Sequence, residues 1–555
     1  MLDRKFQTYN PIKCMANYLR KNAWNNGGDF SNPDLLWYAK GVGKMMSRSL
    51  DDPASWWFYA AIHGEYVNPT TAWYVNPPAF PDWGFVTPPP QVPTTPLPSQ
   101  DIQDLYWNQC QHGSWYFLPW HRGYLMALEA QLRQDIVSLG GPANWALPYW
   151  SYFGGTNGNQ YPMPPAFTAA TLPDGTTNPL YVAMRYGPDG DADIYVPTPA
   201  GEAAHAGDQS FTYGEVTDDS MNNDLYTGSD SQTPLPGFGG PASGFSHSGN
   251  VHGNIESNPH DLVHVYVGGA ISNSSYGLMA DPGIAALDPI FYLHHANIDR
   301  MWAVWNANGN SNPTDSNWLN GPPDRRFVMP GPGGSPSYYT PMQMANFNGL
   351  NYSYEELPAQ PAAAPLVLAQ RLARLGAASA ADKAKRGLAT LTLPKQTELL
   401  GANEGPLRIQ GPATHTSVRL DSGVRRKVVE SLANASETAL PDNVYLKVEN
   451  VRGNFDASVL GVYVNLPENT APRDRRKFLA GNLALFGLRR ASVEDGQHGG
   501  QGLTFLLDIT RIIDELYLAR ALDVGSLRVS LLPSRPLPAE TEITVGRISL
   551  YREAY

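Results

Sequence analysis

The feature that most constrains this chain is a set of closely spaced histidines in its middle. His260 and His264 are four residues apart, so on a helix they lie on one face, one turn from each other. The run 288–302 opens with an aspartate suited to the N-cap and a proline suited to the first helical position, which places His294 and His295 inside a second helix. Three neutral imidazoles from two helices form a nitrogen site for copper, zinc or iron. The sequence therefore predicts a transition-metal site between two helices.

Three more histidines lie in the first part of the chain. Ser55 is expected to cap a short apolar helix that ends with His63. Residues 103–113 are predicted to form a helix that carries His112. Pro119-Trp-His121 is predicted to open another helix, which runs from Arg122 to about Val137. Six histidines from four helices can form two three-imidazole sites that face each other across a bundle core.

A hydrolase is the first alternative, because the segment at His260 is superficially similar to the HExxH helix of zinc proteases. Such an enzyme needs a glutamate directly after the first histidine as its general base, and this chain has Asp261 there. It would also have no use for the histidines of the first part of the chain. The pattern therefore favours a site with two metals.

Composition limits the class of protein. The 555 residues are too many for one core, and the net charge of −12 makes nucleic acid and anionic membranes poor partners. The only cysteines, Cys14 and Cys110, exclude a disulfide framework. The first residues lack the apolar segment of a signal peptide, and no apolar run reaches membrane-spanning length. We expect a cytoplasmic protein, with export bound to a partner as the alternative.

Sequence patterns divide the chain into three parts. Residues 1–355 combine helical segments, including all of 1–66, with long Gly- and Pro-rich loops and are predicted to be a mainly α domain with a four-helix-bundle core. Residues 356–440 are predicted to be a linker, partly helical within the Ala-rich segment 362–389. Residues 441–555 contain short β-rich runs separated by turn residues, the pattern of a β-sandwich. These runs are 444–448, 459–464, 503–508, 527–531 and 542–550.

The residues around the histidines resemble those of the tyrosinase family. His112-Gly-Ser-Trp-Tyr-Phe-Leu-Pro-Trp-His-Arg122 is similar to the copper A signature of that family, and 259–264 with 288–300 is similar to its copper B signature. The resemblance extends from about residue 55 to residue 354 and implies a type 3 centre with two copper ions per chain. It implies copper A bound by His63, His112 and His121, copper B bound by His260, His264 and His295, and His294 supporting a ligand without binding metal.

The resemblance implies oxidation of small phenols and catechols to o-quinones with O2. Glu256 matches a glutamate that holds a water beside copper B, and Asp261 stands where many relatives have an asparagine, so both are candidate catalytic residues for deprotonating a phenol. Pro282 replaces a bulky phenylalanine gate of plant enzymes, so access to copper A is expected to be open. We therefore favour a tyrosinase, with monophenol hydroxylation and o-diphenol oxidation. The alternatives are a catechol oxidase without monophenolase activity and, from another class, a hemocyanin-like dioxygen-binding protein.

Further expectations come from the same resemblance. Cys110 precedes His112 by two residues, the spacing at which relatives form a thioether between sulfur and imidazole. The C-terminal part resembles the domain that shields latent plant polyphenol oxidases, so we expect a lid that places an apolar side chain over the coppers. The motif Tyr352-Ser-Tyr354 is similar to the one that closes the catalytic domain. From the sequence we also expect an ion pair between Asp299 and Arg300; the oligomeric state, including a homo-oligomer, is left open.

Overall fold

The computed structural model shows a helical domain followed by a β domain. It describes residues 18–64, 92–93, 95–107, 109–187, 192, 194–204, 215–228, 236–244, 250–272, 275–323, 326–357, 370–377, 396–436, 440–494, 500–522 and 525–554. Most of the Pro-rich stretch 77–98, which is predicted to form a loop, and of the predicted helical segment 362–389 lies outside the described residues. No described helix is both long and apolar enough to cross a membrane.

The first domain is built on helices whose apolar faces share one core. In α2, every residue from Trp56 to His63 is buried, and the Ser55 hydroxyl accepts a hydrogen bond from the Phe58 amide as predicted for a cap. Helices α4 and α7 pack against each other and carry histidines toward the same interior. The helices are α1 Pro33–Met46, α2 Trp56–His63, α3 Gln100–Tyr106, α4 Phe117–Ser138, α5 Pro199–Ala204, α6 Leu262–Gly268, α7 Ile290–Ala307, α8 Ser316–Asn320 and α9 Pro341–Ala345.

Two helix predictions are wrong in their bounds. The helix predicted over 103–113 ends at Tyr106, so Cys110 and His112 lie in an irregular segment. Gly113 has a φ of +59°, a left-handed conformation that a right-handed helix cannot contain. Helix α4 begins at Phe117, two residues before the predicted opening at Pro119. Residues 1–66 are also not uniformly helical, because their described part begins with a strand.

Short strands tie the ends of the first domain together. Strand β1 (Tyr18–Arg20) pairs in parallel with β6 (Tyr352–Tyr354), next to α7. Three two-stranded pairings involve β1 with β6, β2 (Ala270–Ser272) with β3 (Ser275–Tyr276), and β4 (Phe327–Pro330) with β5 (Pro336–Tyr339).

The predicted ion pair between Asp299 and Arg300 is wrong. Asp299 binds Arg20 at 3.2 Å and Arg122 at 2.5 Å, and both tyrosine hydroxyls of the Tyr352-Ser-Tyr354 motif donate to its carboxylate. Arg300 instead donates to Asn297. Adjacent residues on a helix point in different directions, so the neighbour in sequence cannot face the carboxylate. The tyrosine motif thus fastens the end of the domain to α7.

The predicted C-terminal β domain is confirmed, and its strands form one nine-stranded sheet rather than two separate sheets. The Leu507 side chain comes within 2.8 Å of the place where a Cβ on Gly481 would lie, so the two edge strands approach each other and the sheet curls toward a barrel. Four of the five predicted β runs lie within strands, and the fifth, 542–550, begins one residue before its strand. The strands are β7 Gln396–Ala402, β8 Leu407–Arg408, β9 Thr414–Leu420, β10 Asn443–Gly453, β11 Val459–Val464, β12 Leu479–Ala484, β13 Leu503–Asp508, β14 Ser526–Pro533 and β15 Ile543–Ala554, with helices α10 Ser422–Ala433, α11 Leu488–Ala491 and α12 Thr510–Leu518.

The boundary predicted at residue 441 does not coincide with the start of the sheet. Strand β7 is hydrogen-bonded along β15, and β9 is hydrogen-bonded along β14, so the sheet begins at Gln396. Within the predicted linker, the segment 370–377 also belongs to this domain, because Arg371 binds the Asp514 carboxylate at 2.9 Å. The predicted linker therefore includes residues that the β domain needs.

Candidate dinuclear copper centre

Four buried side chains form the first cluster of possible metal ligands. His63 is the last residue of α2, His121 lies on α4, and Cys110 and His112 come from the segment between α3 and α4. Their ligand atoms all lie within 4.8 Å of one another. The structure therefore brings together the three predicted copper A histidines, with the cysteine among them.

The second cluster lies between α6 and α7. It contains His260, His264, His294 and His295, all buried, with ligand atoms within 4.8 Å of one another. The Nε2 atom of His295 is 3.3 Å from the Nε2 atoms of both His260 and His264. His294 stacks on His260 with ring centroids 5.4 Å apart, so proximity alone does not separate His294 from the three predicted ligands.

The histidines are oriented by hydrogen bonds on the far side of their rings. The Nδ1 atoms of His63, His121 and His264 face backbone carbonyl oxygens at 3.2, 2.8 and 2.9 Å, and Nδ1 of His260 faces a carboxylate oxygen at 2.8 Å. Carbonyl and carboxylate oxygens accept hydrogen bonds, so the ring proton is on Nδ1 and Nε2 is the nitrogen that can bind a metal. This is the usual arrangement for histidine ligands.

The two clusters face each other across a short gap. His121 and His295 stack across the gap with centroids 4.5 Å apart and an interplanar angle of 18°. Burial lowers the pKa of His121 and of His264 to about 3, so both rings are neutral at physiological pH. Nitrogen lone pairs converging without a cation would repel one another, whereas neutral imidazoles suit copper. The donor set therefore fits a pair of copper ions.

Cys110 lies against the first cluster. Its sulfur is 3.4 Å from Nδ1 of His112 and 3.6 Å from Nε2 of His121. Burial raises the pKa of the thiol, so it is protonated and a poor metal ligand as it stands. The sulfur is within reach of the His112 ring, as the predicted thioether requires.

Glu256 lies next to both clusters. It is fully buried four residues before His260, and its Oε1 atom accepts a hydrogen bond of 2.8 Å from the amide of Gly113. Its Oε2 atom has no hydrogen-bond partner among the described residues. Burial raises the pKa of Glu256 to about 8, although His252 opposes this shift.

Asp261 and His252 complete this side of the site. Asp261 Oδ1 is 2.8 Å from Nδ1 of His260, and its Oδ2 is 2.7 Å from Nδ1 of His252. Burial by itself would lower the pKa of His252, but the carboxylates of Glu256 and Asp261 together raise it to about 9. Sequence reasoning did not assign a role to His252, and its only signal was the four-residue spacing to Glu256.

The β domain covers the site with one aromatic side chain. Phe486 follows β12 and is almost completely buried. Its ring stacks on the imidazole of His264 with centroids 4.4 Å apart, and its centroid lies 6.2 Å from that of the His112 ring. Gly487 adopts a φ of +80°, which turns the chain directly into α11, and a Cβ at this position would lie 3.7 Å from Pro282 Cγ. Open access to copper A at Pro282 stays a prediction.

Ion pairs hold the covering segment. Three residues after Phe486, Arg489 binds Asp281 of the helical domain at 2.5 Å and Asp456 of its own domain at 2.6 Å. The Arg489 guanidinium also lies 4.4 Å from the ring centroid of Tyr276. The loop that carries Phe486 is thus attached to the helical domain by a mostly buried charge.

Comparisons with known proteins agree with this architecture. Residues 53–308 match the common central domain of tyrosinase, and residues 396–553 match a domain of unknown function. A tyrosinase of Hahella sp. (strain CCB-MM4) is 31% identical over 539 residues, which covers 95% of this chain and 98% of that one. The latent form of a chloroplastic polyphenol oxidase from Prunus armeniaca is 29% identical over 294 residues, covering 51% of this chain and 40% of that one. The structure of latent apple tyrosinase has a similar fold, with a TM-score of 0.57, 19% identity and coverage of 99% of this chain and 100% of that one.

A helical core with two facing histidine clusters, followed by a covering β domain, is the architecture of a type 3 copper protein. With a relative 31% identical along nearly its whole length, the chain belongs to the tyrosinase family. It is an oxidoreductase of the tyrosinase and polyphenol oxidase type, with two copper ions per chain.

Proposed function

We propose that this protein is a latent tyrosinase that hydroxylates monophenols and oxidises o-diphenols to o-quinones with O2. The observation that carries the monophenol step is the buried carboxylate of Glu256, which touches the backbone beside His112 and keeps one oxygen without a partner among the described residues. Small phenols, catechols and O2 are the reactants.

Six histidines are proposed to bind the metals. They are His63, His112 and His121 for copper A, and His260, His264 and His295 for copper B. Two bound copper ions would supply the electron transfer to and from O2. The surrounding residues orient the rings by the Nδ1 hydrogen bonds and exclude water, because every residue of both clusters is buried.

Glu256 is proposed to accept the phenolic proton, directly or through one water. A phenol has a pKa near that of tyrosine, about 10, so it needs a base to react as phenolate at neutral pH. Asp261 was the second candidate for this role, but its two oxygens already bind His252 and His260. We therefore assign proton acceptance to Glu256 and orientation of His260 to Asp261.

Latency follows from the position of Phe486. Its ring occupies the space over His264 and close to His112, where an aromatic substrate has to lie to reach both clusters. A phenol is the same kind of planar ring, so it competes for that space. Activity is therefore expected only after the β domain moves or is cleaved.

A catechol oxidase is the second candidate, and the same Asp261 contacts favour it. A water that relays the phenolic proton could need hydrogen bonds with both Asp261 and Glu256. Because both Asp261 oxygens already bind histidines, only Glu256 would then hold that water. Oxygen uptake separates the two functions. Full-length and protease-activated protein should be compared with a monophenol and with the matching catechol.

Oxidation of both substrates after activation supports a tyrosinase, and oxidation of the catechol alone supports a catechol oxidase. Reversible O2 binding with no turnover of either substrate after activation would instead indicate a hemocyanin-like carrier.

A further inference from the structure

His252 is a buried histidine outside both metal clusters, and nothing in the proposed reaction uses it. Only 7% of its surface is exposed. Its Nδ1 atom lies 2.7 Å from Asp261 Oδ2 and 3.9 Å from Glu256 Oε1, so one of these contacts is a hydrogen bond and the other is electrostatic only. The residue thus lies between two buried carboxylates.

Without such a partner, the free-energy cost of burying the Asp261 carboxylate would be high. It is fully buried, and no arginine or lysine forms an ion pair with it among the described residues. Burying a carboxylate without compensating hydrogen bonds is strongly unfavourable. His260 provides one partner on Oδ1, and His252 provides the other on Oδ2.

The shared carboxylate connects His252 to the metal site. With Oδ2 held by His252, the Asp261 side chain is fixed in the rotation that presents Oδ1 to Nδ1 of His260. That contact orients the His260 ring so that its Nε2 points at Nε2 of His295, 3.3 Å away. A change at His252 would therefore reach copper B through two hydrogen bonds without touching a ligand.

We propose that His252 is a positioning residue for copper B, which holds the Asp261 carboxylate against the ligand His260. The inference rests on the proposed role of His260 as a copper ligand. It also gives a reason for an aspartate at position 261: in this chain the carboxylate is matched by an imidazole donor, and the two residues act as a pair.

The test measures copper binding by the full-length protein. Copper per chain and the affinity of each site would be determined by competition with a Cu(I) chelator for four variants: His252→Leu, His252→Asn, the double variant His252→Leu with Asp261→Asn, and His415→Leu. Asn keeps a donor close to the position of Nδ1, whereas Leu has none. His415 is a matched control, since it is a histidine of the β domain bonded to Ser530.

His252→Leu should weaken one of the two copper sites by roughly 10–100-fold, the usual effect of losing a residue that orients a ligand. His252→Asn should retain most of the copper affinity. Adding Asp261→Asn to His252→Leu should restore the affinity, because the unpaired Asp261 carboxylate is removed while the amide oxygen of the new Asn still accepts a hydrogen bond from His260. His415→Leu should bind copper normally. A merely structural role for His252 would lower the unfolding temperature of the Leu variant without weakening one copper site more than the other.

Normal copper affinity in His252→Leu, or equal losses in the Leu and Asn variants, would overturn the inference. If His252→Leu does not fold, the comparison rests on His252→Asn and the double variant, and failure of either to bind two coppers overturns it. His260→Ala serves as the reference for the underlying assignment. Retention of both coppers in His260→Ala would show that the proposed ligand set, rather than the role of His252, is wrong.

Discussion

The ring of Phe486 lies nearly parallel to the imidazole of His264, with an interplanar angle of 22° and a centroid distance of 4.4 Å. The two residues belong to different domains, so the β domain contributes directly to the lining of the copper centre. Burial of a phenylalanine side chain is worth about 1.5–3 kcal/mol, which favours the closed state by roughly 10-fold or more.

Phe486→Ala should therefore raise the activity of the uncleaved protein. The smaller side chain removes the stacking on His264 and leaves room for a substrate ring. Catechol oxidation by intact protein should increase by roughly 10-fold, in line with the lost burial, while the activity after proteolysis should not change. Leu518→Ala, at an exposed position on α12, is the control. An unchanged ratio of intact to cleaved activity would argue against Phe486 as the covering residue.

Arg489→Gln should also reduce latency, since it removes the ion pair with Asp281. Hydrogen bonds to charged groups are worth about 1.5–3 kcal/mol, so the closed state should lose a similar amount. Asp281→Asn tests the same contact from the helical domain. Arg511→Gln is a matched control because Arg511 pairs with Glu515 on the surface of the β domain. The expected result is activation in intact protein by the first two variants and none by the third.

The ligand assignment predicts a graded loss of copper. His260→Ala or His295→Ala should bind about one copper per chain and lose nearly all activity, as measured by elemental analysis and oxygen uptake. His294→Ala should retain two coppers with a loss of roughly 10–100-fold in affinity or rate, as for a residue that supports a ligand. If His294→Ala loses a copper and His295→Ala does not, the two adjacent histidines have the opposite roles.

Copper-loaded protein exposed to O2 should contain a thioether between Cys110 and His112. The sulfur lies 3.4 Å from Nδ1 of His112, and formation of the S–C bond removes two hydrogens, with O2 as the oxidant. Mass spectrometry of the peptide should show the loss of two hydrogens and no alkylatable thiol. A thiol that is still alkylatable in the copper-loaded protein contradicts this prediction.

Glu256→Gln should reduce monophenol turnover far more than diphenol turnover, because only the monophenol step needs the carboxylate as proton acceptor. Burial raises the pKa of Glu256 to about 8, and bound copper, a nearby positive charge, lowers it again. The acceptor is the deprotonated form, so monophenol turnover should rise with pH, with a midpoint at or below pH 8.

The Gln variant should lose this pH dependence. Asp261→Asn should keep or raise monophenol turnover, since the amide oxygen still accepts from His260. Proportional changes of both activities in both variants would show that neither carboxylate acts on the phenolic proton.

Much of the site could be predicted from the sequence because its signals are local. The four-residue spacing of His260 and His264, the adjacent pair His294 and His295, and the cap at Ser55 depend on helix geometry within one or two turns. The five β runs were visible for the same reason, since alternation along a strand is a property of consecutive residues.

Short or unusual segments were missed. Strands β7, β8, β9 and β12 lie in stretches whose composition is polar, small or mixed, and their pairing with distant strands decides their conformation. The irregular segment that carries His112 depends on the left-handed Gly113, which helical spacing alone did not reveal.

The sequence by itself thus determined which residue types are available for copper and on which helices most of them lie. Only the tertiary structure decided the partners of each charge and the residue that covers the centre. Asp299 meets Arg20 across 279 positions of the chain, and Phe486 meets His264 across a domain boundary. Such contacts arise from burial and packing between distant segments, and the periodicity of either segment alone contains no information about the other.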